Sequence, residues 1–400
     1  MKVALIGNMN NNNFSVMRYF RDFGIDAHLI LFKDDIIKSQ SHFKPEFDTW
    51  DIAKWSPYIH YVNFNSYYAA LFCPAFLLKK HFKGYDILIS TGNSPVILNK
   101  CRIGIDVFYP YGEGIEGVGD PISREKWINL PFIKRVMYSQ LRRLKISAIK
   151  KAYTCLNSDL YLTKETFDEL DIPFQKISVP MVYNKDLRNI KIRNENIWNL
   201  KKKINSYKYK LFCHVSQLPV KNNLPMIEGF AKFALSQKTK DCVLILTEYG
   251  SLESINLTKE KLKILGVIDR VIWLKKTTRR ELMCLLDEVD FGFSEFEGTM
   301  WGGTGWEFLA SGVPFFHYIN KTSEEFEIDN NTPIPPIINT NSSEEIYQHL
   351  KNYSKNPNPY KKRGAEMKDW FEKYGGIGLA KIWKDIILKI YQEKQINESN

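Results

Sequence analysis

Residues 2–32 read K-V-A-L-I-G-N-M-N-N-N-N-F-S-V-M-R-Y-F-R-D-F-G-I-D-A-H-L-I-L-F. Residues 3–6 are a short apolar run that Gly7 and an asparagine tract interrupt. Phe14, Met17, Tyr19, Phe20 and Phe23 then recur at roughly helical spacing. Gly24 ends that helix, and residues 27–32 make a second strand. Strand, tight loop, helix and strand form a βαβ unit, which requires a parallel sheet with a right-handed crossover. Residues 85–90, 103–109 and 160–162 are expected as further buried strands of the same sheet. The loop of residues 7–13 opens a helix, which puts backbone N–H groups at Gly7 and Asn8 where a phosphate or sugar could sit. A plain turn of residues that tolerate left-handed conformations explains the asparagines equally well.

Further along, residues 184–208 are polar, basic and poor in strand signals, which suits a linker. A second series then begins. Residues 211–215, Cys242–Thr247, Val271–Leu274 and the pair Phe291 and Phe293 read as strands. Residues 224–233, Arg279–Leu286 and a stretch from about Thr304 read as helices. The simplest account is α/β, with two doubly wound domains in tandem at 1–183 and 209–375. Residues 376–400 remain, and an apolar helix is expected over 379–391.

Four hundred residues exceed what a single core usually serves, so the composition agrees with two domains. A 44% hydrophobic and 25% charged chain is globular and not disordered. The longest nearly unbroken apolar run, residues 67–78, contains Pro74 and falls short of the ~18 residues that cross a bilayer. Met1 and Lys2 lead straight into a strand with no signal-peptide pattern, so the expected place is the cytoplasm. Six scattered cysteines, without a C-x-x-C or a nearby histidine pair, argue against a zinc site or a disulfide framework. His28, His60 and His214 stand in apolar, strand-like contexts and read as core residues. A net charge of +11 points to anionic partners without choosing among them. Residues 126–158 carry many cations and no acid, with Val136, Leu141, Leu144, Ile146 and Ile149 at helical spacing. This amphipathic helix is either a solvated face or a surface for anionic lipid on the inner side of a membrane.

The most informative segment is residues 289–314, V-D-F-G-F-S-E-F-E-G-T-M-W-G-G-T-G-W-E-F-L-A-S-G-V-P. Gly302, Gly303, Thr304 and Gly305 lie where a helix begins, and unpaired N–H groups with the helix dipole suit a diphosphate there. Thr304-x-x-Glu307 is also a capping-box pattern, which would give Glu307 a purely structural task. The segment resembles the donor-site signature of retaining GT-B glycosyltransferases of family 4, through Asp290, Ser294, Glu297, Gly298, Glu307, Ala310, Gly312 and Pro314. That resemblance implies two Rossmann-like domains facing a cleft, with the helix in residues 376–400 returning to pack on the first domain. It gives Glu307 the ribose hydroxyls and Glu297 the donor sugar. The family sets its two glutamates eight positions apart, whereas these are ten apart, so backbone groups or Glu295 are alternatives to Glu297.

Residues 212–233 are similar to the same family's G-R-l-x-x-x-K-G segment. The resemblance places Lys221 on the donor diphosphate and puts Gln217 where the family has arginine. Residues 267–286 resemble the strand and helix leading into the donor loop, with backbone groups of Leu274 and Lys275 reading the nucleobase. Glu113, just after a strand end in Tyr109-Pro110-Tyr111-Gly112-Glu113, is the candidate base or acceptor ligand. The expected partners are a nucleotide-sugar donor and a glycan or lipid-linked acceptor, with no nucleic acid, no metal and no cofactor. A sugar-nucleotide epimerase or a non-catalytic nucleotide-binding protein of the same fold is the alternative.

Overall fold

The computed structural model describes residues 1–33, 44–110, 129–157, 166–185, 195–217, 221–236, 241–275, 277–298 and 301–399. Glu113 and residues 160–162 lie outside the described residues.

The first sheet is parallel in every described pairing and runs β3-β2-β1-β4-β5-β6-β7. Its strands are β1 (Lys2–Ile6), β2 (Asp26–Phe32), β3 (Ile59–Val62), β4 (Ile87–Ser90), β5 (Val107–Phe108), β6 (Thr154–Asn157) and β7 (Gln175–Lys176). Helix α1 (Asn12–Asp22) makes the crossover between β1 and β2. Helix α2 (Phe132–Ile149) covers the opposite face through Leu141, Ala148 and Ile149.

The second sheet, also parallel, runs β10-β9-β8-β11-β12-β13. It comprises β8 (Tyr209–Cys213), β9 (Cys242–Thr247), β10 (Val271–Leu274), β11 (Phe291–Phe293), β12 (Phe315–His317) and β13 (Ile338–Asn339). Helices α3 (Leu224–Ser236), α4 (Arg279–Leu286), α5 (Gly303–Ser311) and α6 (Asn358–Tyr374) flank it. Inside the stretch 184–208, expected as a linker, Glu195–Ile204 forms a helix. Its Ile197 and Ile204 are buried in the second domain's core.

Helix α7 (Ile377–Ser399) crosses back to the first domain. Leu379, Ala380, Trp383, Ile387 and Ile390 share a core with α1 and β1, and Trp383 Nε1 donates to Ser178 O at 2.8 Å. No described helix is long and apolar enough to cross a membrane.

The site lies beyond the carboxyl ends of β8 and β11, and their packing is tight. A Cβ on Gly292 would stand 2.2 Å from Phe308 Cε1, so α5 rests on β11 with no room for a methyl group. Gly292→Ala is therefore expected to lower stability by about 1–3 kcal/mol, the cost of overpacking a filled core. Chemical denaturation checks this, and Phe308→Leu added to Gly292→Ala should recover part of the loss. An unchanged midpoint in the single variant would refute the contact.

Candidate functional site

A cavity of about 270 Å³ opens between the loop that precedes α1 and the N-terminus of α5. Asn10 and Asn11 line it from the first domain. From the second domain come His214, Val215 and Ser216 just after β8, Thr247 at the end of β9 and Tyr249 beyond it, Arg279 on α4, Lys221, Glu295, and Gly303, Thr304 and Glu307 of α5. Such a position, outside the carboxyl ends of parallel strands, is where doubly wound sheets bind ligands. The N-cap of α5, Gly302, has no side chain to cap the helix, and its own backbone N–H donates to the Glu295 carboxylate, so the donors that remain are the next N–H groups, of Gly303 and Thr304. Those groups and the dipole favour an anion.

Glu307 is buried, and both its oxygens are engaged. Arg279 Nε donates to Oε1 at 2.6 Å, and His214 Nε2 lies 2.5 Å from Oε2. Burial alone would raise this carboxyl, but the Arg279 guanidinium and the His214 hydrogen bond hold it down at about 2. The group is therefore an anion at neutral pH, so His214 is the donor in that pair. The Thr304 capping box does not form, because Thr304 lies inside the helix and Glu307 bonds to other domain elements. His214 is buried against Phe212 and Phe308, as expected of a core residue, and it also lines the cavity.

Lys221 Nζ stands 3.1 Å from Glu295 Oε2 and 3.5 Å from Glu297 Oε2. Of the two acids, Glu295 lines the cavity, whereas Glu297 is exposed and does not. Glu295, the alternative left open by the irregular glutamate spacing, is thus the acid placed at the cavity. Burial keeps the Glu295 carboxyl above its ordinary range even with Lys221 beside it. Gly302 is held close to it, as a Cβ there would be 3.2 Å from Glu295 Oε1.

Other sequence candidates have different tasks. Gln217 is fully buried outside the cavity, and its amide donates to Thr247 O at 2.9 Å. Gly305 is glycine because Trp301 packs against it, leaving 2.4 Å to a hypothetical Cβ. Leu274 and Lys275 do not line the cavity, and Leu274 O accepts from Glu248 N at 2.8 Å. Asn8 is buried, and its Oδ1 accepts from Phe14 N at 2.9 Å, which ties the first loop to α1. Gly7 takes φ 86°, a left-handed turn that glycine adopts without strain, and donates to Ile30 O. Asn10 and Asn11, and not Gly7 and Asn8, are the loop residues at the cavity.

Arg279 was not anticipated, and it joins the domains. Its Nη1 lies 3.0 Å from Asn10 O and from Asp48 Oδ1, and 3.2 Å from Met181 O. Asp48 in turn pairs with Arg18 of α1, and both side chains are completely buried. A signal existed in the sequence: Arg279-Arg280 at the start of a helix is an unfavourable place for two cations unless acceptors meet them. Among the described residues no group of histidines, cysteines or acids is arranged to hold a metal.

No protein-family model and no curated protein matches the sequence. Solved structures do match in shape. Anabaena Alr3699/HepE in complex with UDP and glucose aligns with a TM-score of 0.60 at 12% identity, over 100% of this chain and 99% of that one. A glycosyltransferase from Rickettsia africae ESF-5 gives 0.58 at 15% identity, covering 98% of each chain. The UDP-GlcNAc 2-epimerase from Neisseria meningitidis bound to UDP-GlcNAc gives 0.55 at 12% identity, over 97% of this chain and 100% of that one. These likenesses show the fold: two Rossmann-like domains facing a cleft, the GT-B arrangement.

Proposed function

We propose that the chain is a glycosyltransferase that takes a sugar from a nucleoside-diphosphate donor and passes it to a glycan or lipid-linked acceptor. The observation that carries this reading is the cavity, where an ionised, buried Glu307 and a cationic Lys221 flank the N-terminus of α5. Glu307 accepts from the ribose hydroxyls. Gly303 and Thr304 N–H groups and Lys221 meet the diphosphate, whose developing charge as leaving group they stabilise without a metal. Glu295 faces the donor sugar in the role first expected of Glu297. Retention of anomeric configuration rests on the resemblance of residues 289–314 alone.

UDP and UDP-sugars are the first ligands to test, because the Anabaena structures hold UDP and UDP-glucose. Incubation of the protein with UDP-sugars, with and without lipid-linked acceptors, tests the reading directly. Transfer that depends on the acceptor is expected. Conversion of the donor without any acceptor would favour an epimerase, and no turnover with any nucleotide-sugar would leave only a binding protein.

The reading extends to an anionic membrane face on the first domain. Phe132 and Ile133 at the start of α2 are each 72% exposed, Arg142 and Arg143 further along the same helix are exposed, and the helix carries no acid. Apolar tips among cations are what anionic head groups attract. Replacing Arg142, Arg143, Lys150 and Lys151 by glutamine is expected to weaken binding to phosphatidylserine vesicles, by up to about 1 kcal/mol per cation. Vesicle sedimentation measures it, and equal binding by both proteins at moderate salt would remove the membrane from the proposal.

A further inference from the structure

Arg279 and Arg280 open α4, at the end of the helix where the dipole disfavours cations, and the other domain supplies their partners. Arg280 Nη1 donates to Thr49 O at 3.1 Å, and its guanidinium stands 4.5 Å from the Trp50 ring centre. Arg279 presents Nη1 to Asn10 O and Asp48 Oδ1 of the first domain and to Met181 O. Its Nε is committed to Glu307. A guanidinium is a rigid plane, so whatever fixes Nη1 also fixes the direction of Nε. Asp48 cannot wander, because Arg18 closes on its other oxygen and neither side chain is exposed.

The result is a continuous row of alternating charge, Arg18, Asp48, Arg279, Glu307, ending on His214. It begins in the core of one domain and ends on the cavity wall of the other. Neither Arg18 nor Asp48 lines the cavity. We infer that Arg279 is a positioning residue for Glu307, aimed from the first domain by the buried Arg18–Asp48 pair. The ligand affinity of the second domain then depends on residues that touch no ligand, and parting of the domains would release Glu307 from its orientation. This rests on the reading of Glu307 as the ribose ligand.

The test uses the full chain with uridine and UDP as probes, UDP by titration calorimetry and uridine by competition. Asp48→Asn removes the charge and keeps the shape. Arg279→Lys keeps the charge and removes the fork. Each folded variant is expected to lose about tenfold in affinity for uridine and for UDP alike, since the disturbed contact is at the ribose. The double variant should lose little more than the worse single one, because both act through Glu307. A folded Asp48→Asn protein with a lower melting temperature but unchanged affinities would overturn the inference and leave the row a purely structural brace. Loss for UDP without loss for uridine would also overturn it, by placing Arg279 on the phosphates. Should Asp48→Asn not fold, Arg279→Lys carries the same two readouts. A wild-type chain that binds neither probe defeats the proposed function and this inference together, whereas wild-type binding with insensitive variants defeats the coupling alone.

Discussion

Glu307→Gln is expected to fold, to lose donor affinity by roughly 1–3 kcal/mol, and to lose part of the wild type's sensitivity to acid. The affinity loss follows from hydrogen-bond arithmetic. A carboxylate accepts from two ribose hydroxyls, whereas an amide has one accepting oxygen and turns an NH₂ group toward the second, the scale of a mispaired buried hydrogen bond. The acid response follows from linkage. With Arg279 and His214 beside it, the folded carboxyl sits at about 2, below its ordinary value of 4.5. Ionised Glu307 therefore stabilises the fold fully above about pH 4.5, and that contribution fades as pH falls toward 2. It is on the order of 3 kcal/mol. Urea unfolding at pH 7 and at pH 3 should show wild type losing stability over this window more steeply than the glutamine variant. Parallel losses in the two proteins would mean that the Arg279–Glu307 pair is not the acid-sensitive element, and unaltered donor affinity would sink the ribose assignment.

Much of the architecture was legible because it is written in local period. Strands such as Cys242–Thr247 are apolar on both faces, which only a sheet covered by helices on each side tolerates, and β9 is buried at every residue. The helix Glu195–Ile204 was missed for the converse reason. Its apolar Ile197, Leu200 and Ile204 are diluted by three consecutive lysines and asparagines, and only packing on the second core reveals them. Asparagines near Gly7 suggested a ligand loop, and Asn10 and Asn11 do line the cavity, whereas Asn8 accepts from Phe14 N of α1 and Asn13 donates to Gly7 O.

At the site, which residues line the cavity was legible where one segment carries the pattern, as for Glu307 and Lys221, and pairing between distant segments was not. Glu307 and Lys221 could be singled out because neighbouring residues gave them context. Nothing local tells Arg279 that Asp48, 231 positions earlier, will meet it. Nor does spacing show that Glu295 turns inward while Glu297 turns out. Adjacent alternate residues of an extended segment point the same way only while the strand lasts, and β11 ends at Phe293, before either acid.

Lys221→Ala is expected to reduce UDP affinity by roughly 1.5–3 kcal/mol, the range of a charge-assisted hydrogen bond to phosphate, with a corresponding fall in turnover. The effect has two parts that a second substitution separates. Lys221 is the cation within 3.1 Å of Glu295, so its removal leaves a buried carboxylate without a counter-charge. That carboxyl, already raised by burial, rises further and takes up a proton more readily. Adding Glu295→Gln to Lys221→Ala removes the unpaired acid and should restore thermal stability. It should not restore UDP affinity, because no cation has been returned to the phosphate. Uridine supplies the control, since it carries the ribose without the diphosphate. If Lys221 serves the diphosphate, Lys221→Ala leaves uridine binding near wild type while UDP binding falls. Equal losses for uridine and UDP, cured in the double variant, would show instead that the lysine only neutralises Glu295, and the anion would then be held by the N-terminus of α5 alone.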